Sequence, residues 1–224
     1  MITHDLIGNK KHYLIAGATG LIGKQLLRLL LNDPATGKVT SLVRSSTPHS
    51  HKKLAEKVID WDTFTEKDLP ISVDATFCCL GTTMAKAGSR EAFKAVDFDY
   101  VLKLAVFSQR AKVPDFHVVS AAGASAGSRV FYNRVKGNME SELQKLQKIK
   151  SIYIYRPSML LGNRSEFRLG ETIGKIVMKA LKPIIPKSYQ AIYDVQVAMS
   201  MKHYAKQGEK GVHIITNKMM IELT

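Results

Sequence analysis

Apolar residues along this chain fall into two kinds of block that take turns. Short runs such as Tyr13-Leu14-Ile15-Ala16 suit a strand, whereas longer stretches such as Leu21 to Leu31 repeat their apolar positions at helical spacing. The same reading predicts strands over Lys38 to Arg44, Leu54 to Trp61 (after a basic, helical approach), Asp74 to Leu80, Phe116 to Ser120, Ser151 to Tyr155 and Val212 to Thr216. It predicts helices over Arg90 to Arg110, Phe131 to Lys148, about Glu166 to Leu181 and Asp194 to Gln207. Asp74 to Leu80 is almost wholly apolar or small, as a central parallel strand covered on both faces must be. Strand and helix alternate to the end without repeats or low-complexity tracts, which predicts a parallel sheet with helices on both faces.

Between the first strand and the first helix lie Gly17, Thr19 and Gly20, with Gly23 just inside the helix. Gly17 lets the chain reverse, Gly20 lets backbone approach a ligand, and Gly23 lets the helix pack on the strand. The amides of Leu21 and Ile22, at the helix start, then face a pyrophosphate. This is the signature of a Rossmann-type doubly wound α/β fold, read here as one NAD(P)-binding domain over residues 1–224 with a small substrate-side part at its C-terminal end. Arg44 closes the second strand, where NAD-specific folds carry an acidic residue for the ribose hydroxyl and an arginine accommodates the 2'-phosphate of NADP. Ser45 adds a hydroxyl beside it. Asp60, at the end of the third strand, is the candidate for the adenine edge. Leu80, Gly81 and Thr82 end the central strand, where a glycine lets a cofactor pass close to the backbone.

The chain has 224 residues, 45% of them hydrophobic, which is enough for a sizeable core. A net charge of +14 favours polyanions in general. The basic residues are nevertheless spread from Lys10 to Lys218 with no dense block, RNA-binding motif or zinc-finger spacing, so nucleic acid is not the expected partner. A phosphorylated cofactor or anionic substrate uses the same field. Cys78 and Cys79 are adjacent, a spacing that suits neither a metal nor a structural disulfide, and both read as buried strand residues. No metal site is expected. With no membrane-length apolar run and no signal-like start, the expectation is a soluble, cytoplasmic protein.

Tyr132 and Lys136 lie four apart at the start of a helix, so a phenol and an ammonium project from one face. A nearby cation stabilises the phenolate and eases proton release to a developing alkoxide. Lys136 also has the reach to bind ribose hydroxyls, and Ser120 ends the strand before this helix. Together, glycine turn, strand-ending serine and Tyr-x-x-x-Lys resemble the short-chain dehydrogenase/reductase superfamily. Phe77 to Thr83, Lys86-Ala87-Gly88, Val96-Asp97, Asp99 to Lys103 and Arg156-Pro157 resemble its atypical, Tat-interacting oxidoreductase family.

The resemblance implies an NADPH-binding oxidoreductase. Gly17, Gly20 and Gly23 would hold the pyrophosphate, Arg44 the 2'-phosphate, and Ser120, Tyr132 and Lys136 would form the catalytic triad. Pro157 and Met159 complete the cofactor set. Hydride would pass from NADPH to a small-molecule carbonyl substrate, with Tyr132 as general acid, Lys136 tuning it and Ser120 bonding the carbonyl oxygen. Asp97 stands where many superfamily members place an asparagine, and Ala121 where relatives often have serine; Ser125 and Ser128 are the alternatives to Ser120. Met84, Met159, Phe167 and Lys182 to Tyr193 are the expected substrate-pocket walls. The alternative function is a redox-sensing NADP(H)-binding regulator acting through a protein partner, on the same fold. The sequence names neither the substrate nor the oligomeric state.

Overall fold

A computed structural model describes residues 10–70, 72–162 and 186–224. Seven parallel strands form one sheet in the order β3-β2-β1-β4-β5-β6-β9. They are β1 (Lys11–Ala16), β2 (Thr36–Val43), β3 (Leu54–Val58), β4 (Ala75–Cys78), β5 (Asp115–Val119), β6 (Ser151–Arg156) and β9 (Gly211–Thr216). Two short strands, β7 (Leu160–Leu161) and β8 (Ile192–Tyr193), pair beyond the end of β6. The chain starts at the centre, winds outward through β2 and β3, then returns to β4 on the other side of β1. That reversal opens a crevice beyond the strand ends, where doubly wound sheets take ligands.

Period-two alternation in the strands builds two cores. Leu14 and Ala16 of β1 join Phe116, Val118, Ile152 and Ile154 on one face, under α4 (Tyr100–Arg110) and α5 (Phe131–Leu143). Tyr13 and Ile15 join Phe77, Tyr153 and Tyr155 on the other, under α1 (Leu21–Leu31) and α6 (Asp194–Tyr204). Four rings form a row across this second face, Phe77, His117, Tyr153 and His213, each 4.7 Å centroid to centroid from the next, the last three stacked and Phe77 tilted on His117. They are register partners on β4, β5, β6 and β9.

Several boundaries differ from the sequence reading. β2 begins at Thr36 and ends before Arg44, and β3 stops at Val58. Trp61 instead turns into the first core and stacks on Tyr100 at 5.4 Å. The approach to β3 is a turn, not a helix. α5 ends at Leu143, five residues early. The long helix from Arg90 is broken into α3 (Arg90–Lys94), a π turn (Ala95–Asp99) and α4. α2 (Met84–Ala87) and α7 (Asn217–Leu223) are additional. The helix expected near Glu166 to Leu181, with Phe167 and the first part of the Lys182 to Tyr193 segment, lies outside the described residues.

Candidate functional site

The glycine turn sits at the C-terminal edge of β1, next to the reversal point. Gly17 has φ +81°, and a β-carbon there would lie 2.6 Å from the Cys79 carbonyl oxygen. A β-carbon on Gly23 would come within 2.0 Å of the Gly17 carbonyl oxygen, so any larger residue would push α1 off the turn. Gly20 caps α1 without a side-chain bond, and the first turn of α1 holds no acidic residue. The free amides at Leu21 and Ile22 therefore present an unopposed positive helix end, a cradle that fits a pyrophosphate. Thr19 is exposed in the same turn.

Arg44 and Ser45 are exposed just past β2, and Arg44 forms no ion pair among the described residues. Asp60 lies beyond β3, its Oδ1 accepting the Asp62 amide at 3.0 Å. Leu80, Gly81 and Thr82 follow β4, with Gly81 exposed. Pro157 is buried after β6, its carbonyl accepting the Ala122 amide at 2.9 Å, and Met159 is exposed beside it. All these positions fall on one edge of the sheet.

The sharpest geometry surrounds Lys136. Its side chain is 3% exposed, and its Nζ lies 2.7 Å from Oδ1 of Asp97, itself 1% exposed. The other Asp97 oxygen accepts the Thr82 amide at 2.8 Å. Burial alone would depress the lysine, but the Asp97 carboxylate outweighs it and holds the Lys136 pKa above its ordinary value. Asp97 reaches inward from the π turn, where the Tyr100 amide bonds the Ala95 carbonyl five residues back. Tyr132, one turn before Lys136, is 36% exposed and packs its ring on buried Phe93 at 5.6 Å. Cys78 lies close by, its thiol pushed up to about 12 by burial, so it is no nucleophile.

Ser120 does not join this group. It is 3% exposed, and its hydroxyl donates to Glu140 inside the protein. Glu140 also takes Arg156, with Nη2 to Oε2 at 2.5 Å and Nε to Oε1 at 3.1 Å. The hydroxyl expected to bind the carbonyl is thus engaged by Glu140. Ser125 is exposed, with its amide on the Asn133 carbonyl, and the Ser128 hydroxyl accepts the Val130 amide. The buried Glu140 escaped the sequence reading, although its place four residues after Lys136 on the same helical stripe was a signal.

Sheet order, glycine turn and Tyr-Lys helix together define a Rossmann-type protein of the short-chain dehydrogenase/reductase class. The chain belongs to the NAD dependent epimerase/dehydratase family, which it matches over residues 13–181. It is 29% identical to Protein HTATIP2 of Rattus norvegicus over 226 residues, covering 99% of this chain and 93% of the relative. This similarity bears out the resemblance to the Tat-interacting family. It is 34% identical to Protein FMP52, mitochondrial, of Eremothecium gossypii over 157 residues, 70% of each chain.

Among solved structures, a UDP-N-acetylglucosamine 4-epimerase from Methanobrevibacter ruminantium M1 superposes with a TM-score of 0.71 at 16% identity, over 93% of this chain and 77% of that one. MoeE5 in complex with UDP-glucose and NAD gives 0.71 at 15%, over 95% and 82%. These show a shared fold. The cytoplasmic expectation is overturned, since several FMP52 relatives are named mitochondrial. Among the described residues no helix is long and apolar enough to cross a membrane.

Proposed function

We propose that the protein is an NADPH-dependent oxidoreductase that reduces a small carbonyl compound, with one nucleotide-binding domain as its working unit. The observation that carries this reading is the buried Lys136 on the same face of α5 as the exposed Tyr132, at the ligand-binding edge of the sheet. When bound, the nicotinamide cofactor supplies the hydride.

Gly17, Gly20 and Gly23, with the amides of Leu21 and Ile22, hold the pyrophosphate. Arg44 and Ser45 hold the 2'-phosphate, Asp60 the adenine edge, and Thr19, Leu80, Gly81, Thr82, Pro157 and Met159 line the rest of the cleft. Tyr132 Oη holds the proton destined for the substrate oxygen. It sits in the first turn of α5, where the positive helix end favours the phenolate left behind. Lys136 adds positive charge beneath it and faces the ribose, while Asp97 keeps the lysine charged and still.

One observation favours the alternative, a redox-sensing regulator that acts through a protein partner. Ser120 is bonded away, Ala121 is next to it, and so the β5 end offers no free hydroxyl for a substrate carbonyl. A carbonyl panel assayed by NADPH oxidation separates the readings. Tyr132→Phe should lower turnover by about 10²- to 10⁴-fold, the usual contribution of a general acid, with NADPH affinity by calorimetry little changed. Turnover unchanged in that variant would remove Tyr132 from the chemistry. No turnover on any carbonyl, together with NADPH-dependent association with a protein, would favour the sensor.

A further inference from the structure

The edge opposite the cofactor site carries a second pattern. Because all seven strands are parallel, their first residues lie along one side of the molecule, an edge roughly 30 Å wide at about 4.8 Å per strand. Exposed lysines stand at the entry to six of the seven. Lys10 precedes β1, Lys38 lies near the start of β2, Lys52 precedes β3, Lys112 precedes β5, Lys148 precedes β6 and Lys210 precedes β9. Among the described residues none of these six forms an ion pair. We propose that this lysine edge docks the protein on an anionic lipid surface, leaving the cofactor cleft facing away from it.

The edge does contain acids, but most are already matched. Asp33 is buried between Lys202 and Lys206, at 2.9 and 2.8 Å, and Asp74, which enters β4, pairs with Lys11 at 2.8 Å. Asp115 is buried, with Lys150 beside it. Glu209 is the exposed acid next to Lys210. The six lysines are therefore surplus charge. Helix dipoles explain part of the pattern, because Lys112 and Lys148 follow the C-terminal ends of α4 and α5. They do not explain Lys10, Lys38, Lys52 or Lys210, which follow no helix end within reach of the dipole.

The chemistry fits a lipid surface better than a nucleic acid. These strand entries present lysines, point charges on flexible stems, where arginine forks suit bidentate recognition of individual phosphates. Among the described residues the large exposed aromatic rings, Tyr132, Tyr189 and Tyr193, belong to the opposite edge, away from these lysines. A broad lysine array matches the diffuse negative field of an anionic leaflet.

The test is co-sedimentation with phosphatidylcholine vesicles, with and without about one-third phosphatidylserine. Binding should require phosphatidylserine and vanish between about 0.1 M and about 1 M salt, as the Debye length falls from about 10 to about 3 Å. A lysine near an anionic surface is worth up to about fivefold in partitioning, so Lys10→Gln, Lys38→Gln, Lys52→Gln and Lys210→Gln together should weaken binding by up to about 600-fold, and a loss below about 5-fold would count against the proposal. An equal charge loss on the cleft side, Lys94→Gln, Arg129→Gln, Lys187→Gln and Lys218→Gln, should change it little. Thermal melts check that both variants fold. No binding to anionic vesicles at low salt, equal weakening by both variants, or tighter binding to duplex DNA of the same phosphate concentration would each overturn the proposal.

Discussion

Asp97→Asn tests the centre of the site with almost no change in shape. Asp97 faces two donors, Lys136 Nζ at 2.7 Å and the Thr82 amide at 2.8 Å. A carboxylate accepts both, but an amide has one accepting oxygen and one donating nitrogen, so either orientation sets a donor against a donor. With both side chains at most 3% exposed, the ammonium is left with only the long bond to the Val119 carbonyl at 3.4 Å. Breaking a buried pair from one side costs about 3 to 5 kcal/mol, a large share of the roughly 5 to 15 kcal/mol that holds a domain folded. Urea denaturation should show it directly.

The pH dependence gives a sharper signature. In the parent, the Lys136 pKa is raised, so its contribution is fully present below about pH 10.4 and is lost as pH climbs through the folded value. In the variant burial, the largest influence on Lys136, loses its main counterweight, so the folded pKa should drop below the unfolded one and this group's stability rise with pH up to about 10.4. Buried phenols such as Tyr13, pushed up to about 12, weaken both proteins at alkaline pH and cancel in the comparison. The stability gap between variant and parent should therefore narrow from about pH 8 to about pH 10. A constant gap, or no gap, would show that the pair does not carry the charge balance described. Lys136→Met in the Asp97→Asn background should recover much of the loss, because no buried charge then remains unpaired.

Arg44→Ala should remove most of a roughly 10- to 150-fold preference for NADPH over NADH, the worth of a charge-assisted bond to phosphate; equal affinities in the parent by fluorescence titration would contradict that assignment. Glu140→Gln keeps a partner for Ser120 but weakens the hold on half-exposed Arg156, and should lower the urea midpoint by an amount equivalent to about 1 to 3 kcal/mol. An unchanged midpoint would mean that Arg156 finds water at no cost. His117 is fully buried with Nδ1 3.0 Å from the Tyr155 hydroxyl and Nε2 unpartnered, and burial pulls its pKa down to about 3. Its contribution is thus complete above about pH 6.5 and falls away below that by up to about 1.4 kcal/mol per unit, a slope that His117→Phe should flatten in denaturation curves taken at about pH 5 to 6.5.

The fold was legible because its signals are local. Period-two and helical patterns located six of the seven sheet strands to within about two residues, the third strand's end alone running further, and the glycine spacing marked the positive-φ turn at Gly17. The errors share a cause, which is that tertiary packing decides where an apolar run stops being a strand. Ile59 and Trp61 continue the apolar pattern of β3, yet Trp61 leaves the sheet to stack on Tyr100 of a distant helix. Nothing within the segment announces that ring. α7 was missed although Thr216 caps it, accepting the Met219 amide, because its seven residues make fewer than two helical turns, too few for the apolar repeat to stand out. At the site, Tyr132 and Lys136 were legible as a spaced pair of chemical types. Ser120 was legible only as a strand-end residue, because position at a strand end fixes which edge a residue occupies, while its bond to Glu140, twenty residues away, was not.

Glu140 completes a stripe on α5 that explains why the helix can present a tyrosine at a fixed point. Tyr132, Lys136 and Glu140 recur every four residues, so they lie along one face. A face packed against a sheet is ordinarily apolar, yet two of these three carry charge and are at most 3% exposed. Each buried charge is met by a different element, Lys136 by Asp97 from the π turn, and Glu140 by Arg156 from the end of β6 and Ser120 from the end of β5. Apolar contacts would let α5 slide or rotate with gradual loss. Two hydrogen-bonded ion pairs do not, because a shift of one residue strands both at once. The third member, Tyr132, is 36% exposed and packs its ring at a tilt against Phe93, so it is the open member of the stripe. The two closed positions hold the helix, and the open one is where the general acid proposed above would exchange its proton.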